Sequence, residues 1–150
     1  MGCARRRGCD GFTLLELLVV VVIIGLLTSI AIPNLMSAHR KARYSRAALD
    51  SKTFVTQAIL YGNDTGVYPT SVAVLRNAGY VGMADLDPWN LPWQLSPALT
   101  SGAPPRRTDN LYIYSRGATA SGVFPDPFLS FTGENGSVGF SSIYGSWSEA

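Results

Sequence analysis

The feature that most constrains this chain is an apolar run of 21 residues, Phe12 to Ile32 (FTLLELLVVVVIIGLLTSIAI), which holds one charged side chain, Glu16, and is closed by Pro33. As a helix rising about 1.5 Å per residue it is roughly 31 Å long, the thickness of a bilayer's hydrocarbon core. A secretory signal would have a shorter apolar core ending in a small-residue cleavage site. Cys3 and Cys9 precede the run, so they do not form a lipoprotein cleavage site. A single membrane-spanning helix is expected. Its orientation is weakly specified by charge, because Arg5, Arg6 and Arg7 flank one end and Arg40, Lys41, Arg43 and Arg46 the other. The expected arrangement keeps the short amino-terminal flank in the cytoplasm and exports the bulk of the chain.

Glu16 carries the most information. Insertion scales put an ionised side chain at mid-bilayer at roughly 2.5 to 3.5 kcal/mol, less near the interface, so a carboxylate here is either tolerated at the headgroups or compensated by a cation. No Lys or Arg occurs between Arg7 and Arg40. The cation able to share its depth is therefore a new amino terminus made by cleavage before Phe12, whose amine, with a reference pKa of about 7.7 to 8, is largely protonated at neutral pH. Phe12 and Glu16 are four residues apart on one helix face, so contact within a chain is feasible. Contact between axially offset copies would also pair the buried charge, and a heterologous contact of that kind builds an open helical filament.

Composition narrows the alternatives. With 150 residues, the chain holds one small globular domain plus one accessory element. A formal charge of +2 is far from the basic field of a dedicated nucleic-acid binder. The single histidine, His39, lies six residues past Pro33, far along the helix from the carboxylates of the globular part, which disfavours a Ser-His-Asp arrangement. Asp85 and Asp87 could in principle act as acid and base, but they lie in a turn-forming segment. An enzyme is therefore not expected.

The string Gly11-Phe12-Thr13-Leu14-Leu15-Glu16 ahead of the apolar run resembles the prepilin signature of the type IV pilin superfamily. The resemblance implies an α+β, pilin-like fold: a long amino-terminal helical spine, membrane-spanning in its first half, packed against a small antiparallel sheet. It also implies a leader peptide (1–11), a transmembrane and filament-core helix (12–33), and a periplasmic or extracellular globular domain (34–150). A prepilin peptidase would process the chain at Gly11 and Phe12 and methylate the Phe12 amine, while Phe12 and Glu16 would serve assembly. Gly25 and Pro33 match helix-loosening positions, and physically Pro33 cannot donate to the Ser29 carbonyl while Gly25 weakens a helix interior. Loss of the leader would remove three of 12 basic and one of 10 acidic side chains, leaving nine of each, and both cysteines.

Beyond Pro33 a helical pattern continues to about Tyr61, with Leu35, Ala38, Ala42, Leu49, Thr53, Thr56 and Leu60 on one stripe and Phe54, Val55, Ala58 and Ile59 making the end apolar nearly all round. The carboxyl-terminal half of the spine should thus be covered by the domain, with Gly62 as helix stop. A short helix is expected over Ser71–Ala78, capped by Thr70 or Ser71 and ended by Gly79. Strands are expected at Leu111–Ser115, Phe128–Thr132 and Val138–Ser142, the last two joined through Asn135-Gly136, with a short edge at Trp93–Leu95. The Ser, Gly and Pro content of Pro97–Arg107 predicts an exposed loop. Arg106 and Arg107 within it read as solvated charges.

The segment containing Leu60, Tyr61, Asp64, Gly66, Tyr68, Pro69, Thr70, Leu75, Gly79, Tyr80, Asp87, Pro88, Trp89, Pro92 and Trp93 is similar to the major pseudopilins of type II secretion systems. Asp87, Pro88 and Trp89 read physically as a structural turn, the carboxylate capping nearby amides and the tryptophans fastening the turn by their apolar area, in preference to a sugar-binding platform. Those pseudopilins carry an acidic calcium loop near the carboxyl end. Here Asp126 and Glu134 are scattered and form no such loop, so no metal or cofactor is expected. The partners implied are copies of the same chain in a filament, minor pilins or pseudopilins, the prepilin peptidase and an inner-membrane assembly platform. A type IV pilus pilin serving adhesion, motility or DNA uptake is the alternative, and a monomeric membrane-anchored binding module a further one.

Overall fold

The computed structural model describes residues 12–80, 82–122 and 136–148. They form α1 (Leu14–Thr65), α2 (Val72–Asn77), β1 (Gln94–Leu95), α3 (Pro97–Thr100), β2 (Tyr112–Ser115), β3 (Val138–Ser141) and β4 (Gly145–Ser148). The fold is α+β: one long helix and a four-stranded antiparallel sheet in the order β1-β2-β3-β4. The chain divides into two compact units, residues up to Ala38 and residues from His39 onward.

In the first unit every residue from Phe12 to Ala38 is exposed. The apolar stretch of α1 has a mean hydropathy of 2.8 and is 0% buried, and it is long and apolar enough to cross a membrane. Nothing in the described chain therefore removes these side chains from solvent, and the hydrophobic effect assigns them to lipid or to other subunits.

The second unit has an ordinary core. The face of α1 that it covers carries Tyr44, Ala47, Ser51, Phe54, Val55, Ala58 and Gly62. This differs from the expected stripe: Leu49 is 66% and Leu60 48% exposed. Small side chains at positions 47, 51, 58 and 62 let the domain approach the helix closely, whereas the larger leucines would hold it off. Gly62 lies inside α1 and does not end it. A Cβ there would meet the Tyr68 ring at 3.0 Å and Pro105 at 3.1 Å. The helix stops four residues later, where Gly66, at φ +79°, donates its N–H to the Gly62 carbonyl at 2.9 Å.

Ser71 caps α2 by accepting from the Val74 N–H at 3.3 Å, and Gly79 follows at φ +81°. The expected loop at 97–107 instead begins with α3, in which Pro97 occupies the first turn behind Ser96 and Leu99 is fully buried. Ser-Pro is a helix-start signal that the surrounding Gly and Pro content masked. Of the expected strands, Phe128–Thr132 and the Asn135 half of its turn lie outside the described residues. The β2 and β3 strands sit where expected, in antiparallel register with Ile113 opposite Phe140. Gln94–Leu95 supplies the edge, pairing with β2.

An unexpected strand, β4, pairs with β3 across the turn Ser142–Tyr144. Ser141 Oγ accepts from the N–H groups of Ile143 and Tyr144, both at 3.2 Å, and Gly145 closes the turn at φ +85°. Trp147 on β4 turns inward, 6% exposed, and donates its indole N–H to Ser137 Oγ at 3.2 Å. Phe54, Leu75, Leu99, Leu111, Ile113 and Val138 form the centre of the core.

Candidate assembly and processing site

Thr13 sets the start of α1. Its hydroxyl oxygen accepts from the Glu16 N–H at 3.2 Å and its carbonyl from the Leu17 N–H at 3.3 Å. Thr13-x-x-Glu16 is the spacing of a capping box, a sequence signal for Thr13 that the reading of Glu16 as an isolated charge overlooked. Phe12, directly before it, is 79% exposed. Gly11 lies outside the described residues. Glu16 stands in the first turn of α1, and among the described residues no cation pairs with it. A carboxylate near the positive end of a helix is favourably placed, by roughly 0.3 to 1 kcal/mol, which offsets only part of the cost of an apolar surrounding.

The helix runs unbroken through Gly25 and Pro33. Between them Thr28 Oγ1 donates to the Ile24 carbonyl at 2.7 Å and Ser29 Oγ to the Leu26 carbonyl at 2.8 Å. Hydroxyls bonded back onto the preceding turn compete with the backbone ladder and bend helices. A Cβ on Gly25 would meet no atom within 4 Å, so packing within the chain does not require a glycine there.

Asp87, Pro88 and Trp89 lie in the second unit. Pro88 and Trp89 form the corner of a turn closed by the Asn90 N–H on the Asp87 carbonyl at 2.9 Å, flanked by the Asp87 N–H on the Leu91 carbonyl at 2.9 Å. Asp87 is 5% exposed, and its Oδ1 accepts from the N–H groups of Trp89 at 3.0 Å and Leu91 at 2.7 Å. Its Oδ2 accepts from the Ser115 hydroxyl at the end of β2, and Ser115 Oγ accepts from the Gly117 N–H at 3.0 Å. Ser115 is 28 residues away, so nothing in the local sequence signalled this partner. The Trp89 ring meets Tyr44 of α1 edge-on, centroids 4.7 Å apart, and Trp93, 6% exposed, donates to the Ala84 carbonyl at 3.3 Å.

Asp85, the other half of the conceivable acid–base pair, is held by Arg76 through two contacts of 2.9 and 2.6 Å. That hydrogen bonding keeps its carboxyl below the ordinary carboxylate range. Asp85 and Asp87 line one open cavity together with Arg46 and Asp50, but the Asp87 oxygens are taken up by the Trp89 and Leu91 amides and the Ser115 hydroxyl. Asp50, beside Arg46 at 3.6 Å, is pushed the other way, upward, by burial. Among the described residues no three His, Cys, Asp or Glu side chains gather to hold a metal ion.

A capped, wholly exposed apolar helix with an acid in its first turn, continuing into an α+β domain, defines a subunit of the type IV pilin class. Comparison with known proteins gives the same answer. Residues 6–32 match the family described as the prokaryotic N-terminal methylation motif. Type II secretion system core protein G of Aeromonas hydrophila is 36% identical over 107 residues, covering 61% of this chain and 75% of the relative. The same protein of Vibrio cholerae is 37% identical over 109 residues (62% and 75%), and that of Pseudomonas aeruginosa 31% over 114 (65% and 80%). This chain belongs to the type II secretion core protein G family, the major pseudopilins, and is a pseudopilin subunit. The pilus-pilin alternative is not favoured.

Proposed function

We propose that the chain is made as a precursor, cut between Gly11 and Phe12 by a prepilin peptidase that also methylates the new amine, and then assembled, without catalysis of its own, into a filament of identical subunits. Residues 12–33 anchor the subunit in the inner membrane and become the filament core. Residues 34–150 lie on the periplasmic side, and minor pseudopilins and an inner-membrane assembly platform complete the machinery. Glu16 of one subunit pairs with the Phe12 amine of its neighbour, while Gly25 and Pro33 are the places where the helix loosens on assembly. The observation that carries this is Glu16 itself, an acid in a fully exposed apolar belt with no Lys or Arg between Arg7 and Arg40. Breaking a buried pair costs about 3 to 5 kcal/mol because one charge is left uncompensated.

The test has two parts. Mass spectrometry of the membrane-extracted chain is expected to give a mature species beginning at Phe12 with one added methyl group. Glu16→Leu is expected to insert as well as wild type yet yield no filaments on shearing and electron microscopy. Filaments of normal length from Glu16→Leu would refute the pairing.

A further inference from the structure

The first cations after the apolar run are crowded together. Arg40, Lys41, Arg43 and Arg46 fall within seven residues, and the first three are exposed and make no ion pair among the described residues. Arg46 reaches Asp50 at 3.6 Å, but its side chain is 70% exposed, so that pair is weak. Of the nine basic side chains left after leader removal, these are four, and the other five face nine acidic ones. Arg40 lies eight residues past Ile32, which the covalent chain limits to roughly 28 Å from the end of the apolar run in any conformation. Along a helix the interval is about 12 Å. Since exposed Leu35 and Met36 extend the apolar surface, residues 40–46 fall at the level of the headgroups.

We propose that Arg40, Lys41 and Arg43, with Arg46, form a docking surface for the phosphate groups of anionic phospholipids, holding the subunit in the bilayer until it is drawn into a filament. Long cationic side chains at this depth keep their stems along apolar surface and their charges among headgroups. Attraction to an anionic surface is worth roughly fivefold in binding per cation at low ionic strength and falls with added salt. A run of positive charge on a translocated flank works against insertion bias, so its presence there calls for a compensating role. The proposal rests on the membrane anchor at residues 12–33 and on the orientation proposed above for the residues that follow it, and not on the Glu16 pairing.

The test uses the full chain in phosphatidylcholine bilayers containing trace spin-labelled phosphatidylglycerol or spin-labelled phosphatidylcholine. The motionally restricted fraction gives their relative association with the protein. Wild type is expected to favour phosphatidylglycerol at least fivefold, with the preference collapsing toward one in R40Q/K41Q/R43Q and in 1 M salt, while R106Q/R107Q keeps it. Near-UV circular dichroism unchanged from wild type shows that the triple variant is folded. Equal association of both lipids with wild type would overturn the proposal, as would a preference that survives R40Q/K41Q/R43Q or is lost equally in R106Q/R107Q. Absence of any restricted component would instead overturn the anchor itself.

Discussion

Removing the Asp87 carboxylate should loosen the domain far more than replacing it by its amide. The group is 5% exposed and accepts three hydrogen bonds, two from the backbone amides of Trp89 and Leu91 and one from the Ser115 hydroxyl. Asp87→Ala leaves two part-buried N–H groups and one buried hydroxyl without their acceptor, each costing about 1 to 3 kcal/mol, so a loss of about 4 kcal/mol is expected. Asp87→Asn keeps an oxygen for the two amides and places an NH2 against Ser115 Oγ, which can accept it. The expected loss is about 1 kcal/mol. A domain of roughly 110 residues has about 5 to 15 kcal/mol of stability in total, so the alanine variant should remain folded but melt early. At about 4 to 8 °C per kcal/mol its Tm should fall by at least about 16 °C. The assay is thermal unfolding of the full chain followed by near-UV circular dichroism, because Trp89, Trp93 and Trp147 report the domain while the apolar helix persists. An alanine variant melting within 3 °C of the asparagine variant would refute the carboxylate's role as the clamp between the turn and β2.

Gly139→Ala should disrupt β3, because a Cβ there would lie 2.5 Å from the Ile113 carbonyl oxygen and 2.7 Å from the Trp147 ring; loss of the near-UV signal at 25 °C is the expected result. Gly25→Ala meets open space and improves helix propensity by about 1 kcal/mol, so the domain's Tm should be unchanged while filament yield falls if loosening at that position matters. For Asp85 the hydrogen bond to Arg76 depresses the folded-state pKa, so its stabilising contribution is present above the unfolded value and lost as pH falls through the folded one. Arg76→Gln should therefore lower the Tm slightly at neutral and alkaline pH, leave it unchanged at the acid extreme, and so flatten the acid side of a Tm-against-pH curve. Asp50 has the opposite sign: burial raises its folded pKa, so its contribution worsens as pH rises through that value, and Asp50→Asn should reduce this loss.

What the sequence disclosed follows from how local each signal is. The apolar run, its carboxylate and the helix caps at Ser71 and Gly79 are short-range patterns, and the structure has α1 and α2 where those patterns lie. The covered face of α1 carries Ala47, Ser51, Ala58 and Gly62 and leaves Leu49 and Leu60 exposed, because closeness of approach, as well as hydrophobicity, decides which face a small domain takes. Gly62 resembles a helix stop in sequence, but what requires a glycine there is the Tyr68 ring, 3.0 Å from where a Cβ would sit, on a residue that folds back after the helix has ended. Leu99 was lost in a segment that reads as loop by composition, and β4 in a Gly- and Ser-rich tail whose one strong signal is Trp147. The partner of Asp87 was invisible for the same reason, since a 28-residue separation leaves no local trace.

The two units solve opposite problems. From His39 onward the chain buries a core of its own and gives the buried hydroxyls of Ser51, Ser115 and Ser141 hydrogen-bond acceptors. Among the described residues up to Ala38 it covers none of its apolar side chains, and the one carboxylate there, Glu16, has no cation paired with it. In lipid, the apolar side chains are satisfied but Glu16 is not. In water, the reverse holds. Only an environment that is apolar on most sides and cationic at one point suits both, and a bundle of the same helix, offset so that each amino terminus meets the acid of the next copy, is such an environment. In the proposed filament, assembly is favoured over the membrane by the carboxylate and over solvent by the leucines, so a single Glu16→Leu change should separate insertion from polymerisation.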